Sequence, residues 1–520
     1  NNHAVDIKGT WSNNVGPSAF LEGTSTISFI GNSANTGFST NETVYNLFIY
    51  NSSGQADNFE ISASKQLTVL NDLTIADGTL NLKTGSRLIV GRDVSIAQYA
   101  GLNAASVTDV QISVGRAWTD ANNTYSAVLG FNPGTSKLIL NGSSGALINV
   151  ADDPWDVYDL EINKIAPLDV VFTKPVRAYG NCVVTLGNWC DAVPNMNHQF
   201  YGNLSLGVES TWPTGNQISF KGAADQTFSL PGSVYIYALT LDKSIGAKVT
   251  LGSTILGLGA GNIVINAGTL DLNGHLYRST GNVTINNGGV LQIDADAEFE
   301  LADGRNLVVN SGGRLELIGT SGHLAALSRQ SGYYVCNIES GATISAEWGL
   351  FEYMGVNGIN VKAGALVDSE HSFNNCRFQN GLSGGTLLTL NNSQTLNVYD
   401  AVFPTNTWGS TYNVTKNVIL GSVNMINATG AFAGENYDLD NANRINWYAL
   451  PQVPTPVITY ISGTNRIQLS WTYPVTVTRF RIYRSQTPDG PWESAGTSTT
   501  TTWSQVVPGP RYFYKVTAEL

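Results

Sequence analysis

Four stretches of the chain hold residues whose types and spacing invite a chemical reading. In the run Asp294, Asp296, Glu298, Glu300 and Asp303, acidic residues alternate with apolar ones, which sets the carboxylates on one face of a strand. Such a row offers hard oxygen ligands to Ca²⁺ or paired carboxylates for acid–base work, with Arg305 and Arg314 nearby in sequence. A solvated outer face is the plainer reading. Asp438-x-Asp440-Asn441 sets three oxygen donors close together, a weak calcium candidate. Gly381-Leu382-Ser383-Gly384-Gly385 has the Gly-x-Ser-x-Gly form, but a nucleophile elbow needs strand, turn and helix, and no helix follows. Gly257-x-Gly259-x-Gly261 precedes a strand rather than a helix, so it is not read as a dinucleotide loop.

The remaining reactive side chains are scattered. His3, His198, His275, His323 and His371 show no metal-ligand spacing, so metal catalysis is unsupported. Cys182 and Cys190 form the disulfide candidate, set against free buried thiols; Cys336 and Cys376 lie further apart, and no CxxC occurs. Trp118, Trp155, Trp189 and Trp212 could stack on sugar rings if exposed, although covering coil edges is the commoner role. No residue is assigned to catalysis, and no cofactor is expected apart from a possible calcium ion.

Composition bounds what can position these residues. The chain has 520 residues and a net charge of −12, and only 13% of it is charged, about half the share usual in soluble proteins. That excludes phosphate-neutralising nucleic-acid binding and polybasic membrane-surface binding. A hydrophobic share of 42% excludes disorder, and no apolar run is long enough to span a membrane. The start at Asn1 fits a chain whose signal peptide has been removed, or an excised piece of a longer one. Low charge, abundant Asn, Thr and Gly, and few cysteines suggest a secreted or cell-surface protein of a bacterium. The Asn-x-Ser/Thr sequons are read as chance products of that composition.

The clearest pattern is a repeat over 260–400. Glycines at 268, 289, 313, 341 and 364 each precede a short alternating segment such as Leu270/Leu272 or Leu315/Leu317. Periods of 20–30 residues with strands and no helix predict a solenoid of stacked parallel strands. A looser unit recurs in the first half: Tyr45, Tyr158 and Tyr237 are followed by Leu47/Ile49, Leu160/Ile162 and Leu239/Leu241. The segment 372–381, with Phe373, Cys376 and Phe378 around an Asn-Asn corner, resembles coils of right-handed parallel β-helices. The resemblance covers roughly 250–430; a β-helix of about 420–450 residues, at roughly 22 residues and ~4.8 Å per coil, would make a rod of about 80–95 Å. It extends to surface proteins that pair such stacks with a small β-sandwich. Parallel β-helix polysaccharide lyases set acidic calcium ligands beside a basic residue, the pattern met near Asp294. The expected organisation is a cap at 1–25, the helix over 26–449, a proline-spaced linker at 450–456, and a module over 457–520.

That last module resembles a fibronectin type III domain. Trp471 falls in its second strand, Tyr483 in its third and Tyr514 in the penultimate one, with Tyr512 as tyrosine-corner candidate. The resemblance implies a seventh strand, which the sequence does not supply before Leu520. Truncation explains that gap, and so does a strand donated by another subunit. The expected function is a non-enzymatic component of a bacterial extracellular or surface assembly: a filament, sheath, surface layer or adhesin. Its partners would be copies of itself or a surface protein bound through the terminal module. The rival is a polysaccharide lyase or hydrolase, or a glycan-binding adhesin, on the same scaffold.

Overall fold

In the computed structural model, 54% of residues lie in strands and 1% in helix. The described residues are 3–520, except 10, 17–19, 21–22, 32–36, 52–57, 123–128, 214, 233, 258–260, 406–408, 450–453, 474–476, 508, 510 and 520. The glycine run at 257–261 and the linker at 450–456 therefore fall partly outside them. About 18 turns of chain stack as a parallel β-solenoid.

Each coil crosses three walls. In one coil the strands are Trp155–Val157, Asp159–Asn163 and Asp169–Phe172; in the next they are Val176–Ala178, Cys182–Leu186 and Asn188–Asp191. Corresponding strands pair in parallel, Leu160 on Cys182 and Val170 on Trp189. The alternation in sequence is what faces the core: Val44, Val69, Val90, Val114, Leu140, Ile162, Val184 and Leu206 form one continuous ladder. All but Leu206 are at most 1% exposed. A strand in this stack gains backbone partners on both sides, so one coil's inward row is buried by its neighbours rather than by a second layer.

The corners have their own ladder. Gly268, Gly288, Gly312, Gly341 and Gly364 all have φ between 77° and 85°, a region in which a side chain is strained. Each of the first four donates its N–H to the carbonyl of the next at 2.9–3.0 Å. In two coils the left-handed residue is thus the glycine before the one the repeat pointed to, Gly288 and Gly312 rather than Gly289 and Gly313. The looser repeat is a local corner–strand unit and not a fixed place in the coil. Its strands Asn46–Tyr50, Asp159–Asn163 and Ala238–Lys243 lie on three different walls.

Within the first 25 residues, the described part continues the stack. Ala4–Ile7 pairs in parallel with Thr26–Phe29 and is itself a solenoid strand. Trp11 packs against the core, with its ring 5.2 Å from Phe20 and 6.2 Å from Phe38. At the other end, Leu396–Tyr399, Val423–Ile426 and Ile445–Tyr448 close the stack.

Beyond residue 456 the pattern changes to two three-stranded antiparallel sheets. One has the order Val457–Ile461, Arg466–Ser470, Thr502–Val506; the other has Glu493–Ser498, Arg479–Ser485, Phe513–Glu519. They share a core of Leu469, Trp471, Phe480, Ile482 and Val516. Trp471 follows its strand by one residue and is held by its N–H donating to the Thr501 carbonyl. Tyr483 lies in the strand Arg479–Ser485 and Tyr514 in Phe513–Glu519. Tyr512 precedes that strand, and its hydroxyl accepts from Gln486 Nε2 at 3.3 Å.

Candidate functional site

The densest cluster of ionisable groups lies on one outer wall. Lys248–Leu251, the second half of Ile263–Asp271, Gly289–Asp294, Arg314–Ile318 and Thr343–Glu347 stack there in register. Because their inward positions are aliphatic, the alternating outward positions carry Lys248, Asp271, Gln292, Glu316 and Arg314. Lys248 Nζ lies 3.5 Å from Asp271 Oδ2 and donates to Gln292 Oε1 at 3.2 Å. Gln292 Nε2 donates to Asp294 Oδ1 at 2.7 Å. Asp271 is pushed up to about 6, first by burial and then by its hydrogen bond and repulsion with Asp294. Arg314 pairs with Glu316 and reaches Ser345 Oγ and Asp368 Oδ2 at 2.7 and 2.8 Å. A carboxyl group whose hold on its proton is raised, set beside a lysine, can exchange protons with a substrate.

The acidic run read in the sequence is divided by the corners of the coil. Asp294 belongs to that wall. Glu298 and Glu300 lie on another wall, where Arg278 pairs with Glu300 and burial with the Glu300 charge raises Glu298. Asp296 occupies a corner at φ 62° and pairs with His323 at 2.8 Å. Asp303 accepts from the Tyr333 N–H. The run is therefore not one ligand row.

Near the solenoid's end, Asp438 and Asp440 meet Glu435, with one carboxylate oxygen of each lying within 4.8 Å of the others. Trp447 Nε1 donates to Asp438 at 2.7 Å, and burial with the neighbouring carboxylates pushes Asp438 up to about 6. Asp440 accepts from the Ile445 N–H at 2.5 Å. Asn441 is exposed, and Glu435 takes the third place that sequence spacing gave to it.

Several other expectations change. Trp118, Trp155, Trp189 and Trp212 face inward, 0–4% exposed, and form an aromatic spine with Phe131 and Phe172 (4.9 Å from Trp118 to Phe131, 4.3 Å from Phe172 to Trp189). They offer no platform to a sugar. Cys182 and Cys190 are not bonded; all four cysteines are free thiols. The cause is parity: Cys182 sits inward in the Leu160 ladder, whereas Cys190 is next to inward Trp189 and faces out on another wall. Burial raises the thiol of each. Ser383 is exposed on a turn between strands, without a following helix.

Two buried polar devices were not foreseen. Lys164, Lys243 and Lys416 are 1–5% exposed and donate to main-chain carbonyls of earlier coils: Gly115 at 3.0 Å for Lys164, Ala224 at 2.8 Å for Lys243, Asn392 at 2.8 Å for Lys416. Burial lowers Lys164 to about 8. The signal was present, since Lys164 and Lys243 stand four places after the repeat's first leucine, where Asn51 stands in the first copy. The second device is Asp191, which accepts from Trp189 Nε1 at 3.1 Å and from Asn216, and meets His198 Nε2 at 2.8 Å. Val176 N–H donates to His198 Nδ1 at 3.0 Å, which leaves the imidazole proton on Nε2, facing the carboxylate.

Outside, asparagines bond coil to coil: Asn266–Asn286–Asn310 at 2.9 and 2.8 Å, and Asn397–Asn424–Asn446 at 2.8 and 3.1 Å. No helix of the described residues is long and apolar enough to cross a membrane. No protein-family model, curated protein or solved structure matches the chain.

Proposed function

We propose that this chain is a non-enzymatic structural component of a bacterial extracellular or cell-surface assembly. Its solenoid, right-handed by the twist preference of parallel crossovers, serves as a rigid spacer. Its terminal module, fibronectin type III-like in the pairing of its two small sheets, is the joint to a neighbour. The observation that carries this reading is the use of the outer wall's polar groups. Arg116 with Asp93, Arg177 with Asp156, Arg278 with Glu300, and the asparagine ladders all bind one coil to the next. Side chains engaged along the axis stiffen a stack and are not left to converge on a substrate. About 18 turns at ~4.8 Å each give a post of about 85 Å. Negative-stain imaging of native material tests the proposal: filaments, a lattice or uniform surface projections are expected, and dispersed single particles on cells and in culture fluid count against it.

A second reading, a polysaccharide lyase or hydrolase, draws on the Asp271–Asp294 pair beside Lys248. It predicts new reducing ends or unsaturated products from some acidic or neutral polysaccharide, abolished by Asp271→Asn.

A further inference from the structure

The terminal module holds a tryptophan that its core does not use. Trp471 lies in that core and Trp503 packs against it. Trp492 does neither: among the described residues its ring meets no other ring and its indole nitrogen meets no acceptor. It stands in the connection 486–492 between Arg479–Ser485 and Glu493–Ser498, which pair as a hairpin through Arg484 and Glu493. Gly490, at φ 98°, gives the indole its seat, since an added Cβ would come within 3.0 Å of Cδ1 and 3.3 Å of Nε1. The half-buried ring lines a cavity of about 350 Å³ together with Ser485, Gln486, Thr487, Pro491 and Glu493. Small-molecule sites occupy ~300–1,000 Å³, so the space suits one or two rings rather than a long chain. The turn around it is stiff. Thr487 N–H donates to Ser485 Oγ at 3.2 Å and Gly490 N–H to the Thr487 carbonyl at 3.3 Å, while the Thr487 hydroxyl donates to the Gly490 carbonyl. Pro488 and Pro491 fix φ at two more positions.

Three polar groups at the cavity have capacity left among the described residues. Ser485, 3% exposed, accepts from Thr487, and its own proton has no acceptor. Gln486 commits Nε2 to the Tyr512 hydroxyl at 3.3 Å and keeps Oε1. Glu493 Oε1 accepts from Arg484 Nε at 3.0 Å, which leaves Oε2. One donor and two acceptors around an aromatic face suit a ring that is apolar on its C–H face and carries hydroxyls at its rim, as a sugar does. A proline-rich segment would cover the indole, but its prolines bring no N–H to the two acceptors. Charge narrows the choice further. Arg484 is answered by Glu493, and Asp489 adds a negative charge with no ion-pair partner among the described residues, so a uronate would be repelled. We propose that this cavity binds a neutral pyranose unit of a glycan, stacked on Trp492. The inference rests on the joint assigned to the module above and gives that joint a ligand class.

The test runs the full chain through native gels cast with mannan, galactan, xylan, dextran or β-1,3-glucan, with polygalacturonate as the acidic control. Retardation by at least one neutral polysaccharide is expected, and none by polygalacturonate. Trp492→Ala should weaken that binding about tenfold or more. Trp492→Phe, which keeps a ring face, should fall between, and Gln486→Ala should weaken it by a smaller factor. Unchanged thermal unfolding checks that each variant keeps its sheets. Undiminished binding by Trp492→Ala, retardation by no neutral polysaccharide, or retardation by polygalacturonate alone overturns the proposal. So does binding of a decaproline peptide, lost in Trp492→Ala, when no polysaccharide binds; the cavity would then belong to a protein partner. Filaments or surface projections that persist while no glycan binds would remove this ligand and leave the spacer role standing. Glycan binding by material that stays dispersed would support the ligand and remove the spacer.

Discussion

The solenoid and the terminal module solve the same problem of burying strands, with opposite results. In the solenoid every inner coil has neighbours above and below, so Ile162 is covered by Leu140 and Val184 and its strand has no edge. Among the described residues of the module, six strands in two sheets bury a core of only five residues, and Ile458 and Tyr460, on the same side as Leu469, stay more than half exposed. Repetition along one axis confines exposed backbone to the two ends, whereas small separate sheets keep it along their edge strands.

The sharpest way to break the comparison is to charge the ladder. Ile162→Asp puts a carboxylate among aliphatic neighbours, and a loss of more than about 4 kcal/mol is expected. Calorimetry should show the solenoid transition collapsing while the module's transition stays in place. The converse variant is Trp471→Ala, which removes the largest side chain of the module's core; about 3–5 kcal/mol is expected. Its effect should be confined to the module, as read by loss of its transition alone. If either substitution melts both regions together, the two do not fold as separate units.

The core was legible in the sequence because its code has period two. The alternation in Leu270/Leu272 and Leu315/Leu317 and the corner glycines state the coil directly. What was not legible is what the corners do to longer patterns. The carboxylates from Asp294 to Asp303 alternate as one row, but two corners send them to different walls. The tryptophans misled because their parity turns them inward, where they stack with Phe131 and Phe172. The cysteine pair could have been read correctly: Cys182 has the parity of inward Val184, and Cys190 adjoins Trp189. Sequence spacing measures separation along the chain, and a disulfide needs side chains on the same side of the wall.

Smaller changes sharpen the picture of the polar devices. Lys164→Met leaves the Gly115 and Asn141 carbonyls without their donor, and relief from burying an ammonium offsets only part of that loss. A net destabilisation of about 1–2 kcal/mol is expected from denaturant unfolding at pH 7. The smallest effect concerns pH. Asp271 binds its proton more tightly in the fold, at about 6 against 3.8 for the free side chain. The folded chain therefore holds more protons between those values, and this group's contribution to stability falls as pH rises from about 4 through 6. Asp271→Asn should flatten the stability profile across that window. An unchanged profile would mean that Lys248 already compensates the pair.

A stack whose backbone ladders join each coil to its neighbours also has a mechanical character. Tension applied between the two termini of such a post need not tear it at once, because an end coil can peel away while the remainder keeps its register. With Ile162, Val184 and Leu206 spaced 22 residues apart, each release frees about 70 Å of slack at ~3.4 Å per residue. A tether built this way would yield one coil at a time under load and rewind when the pull relaxes.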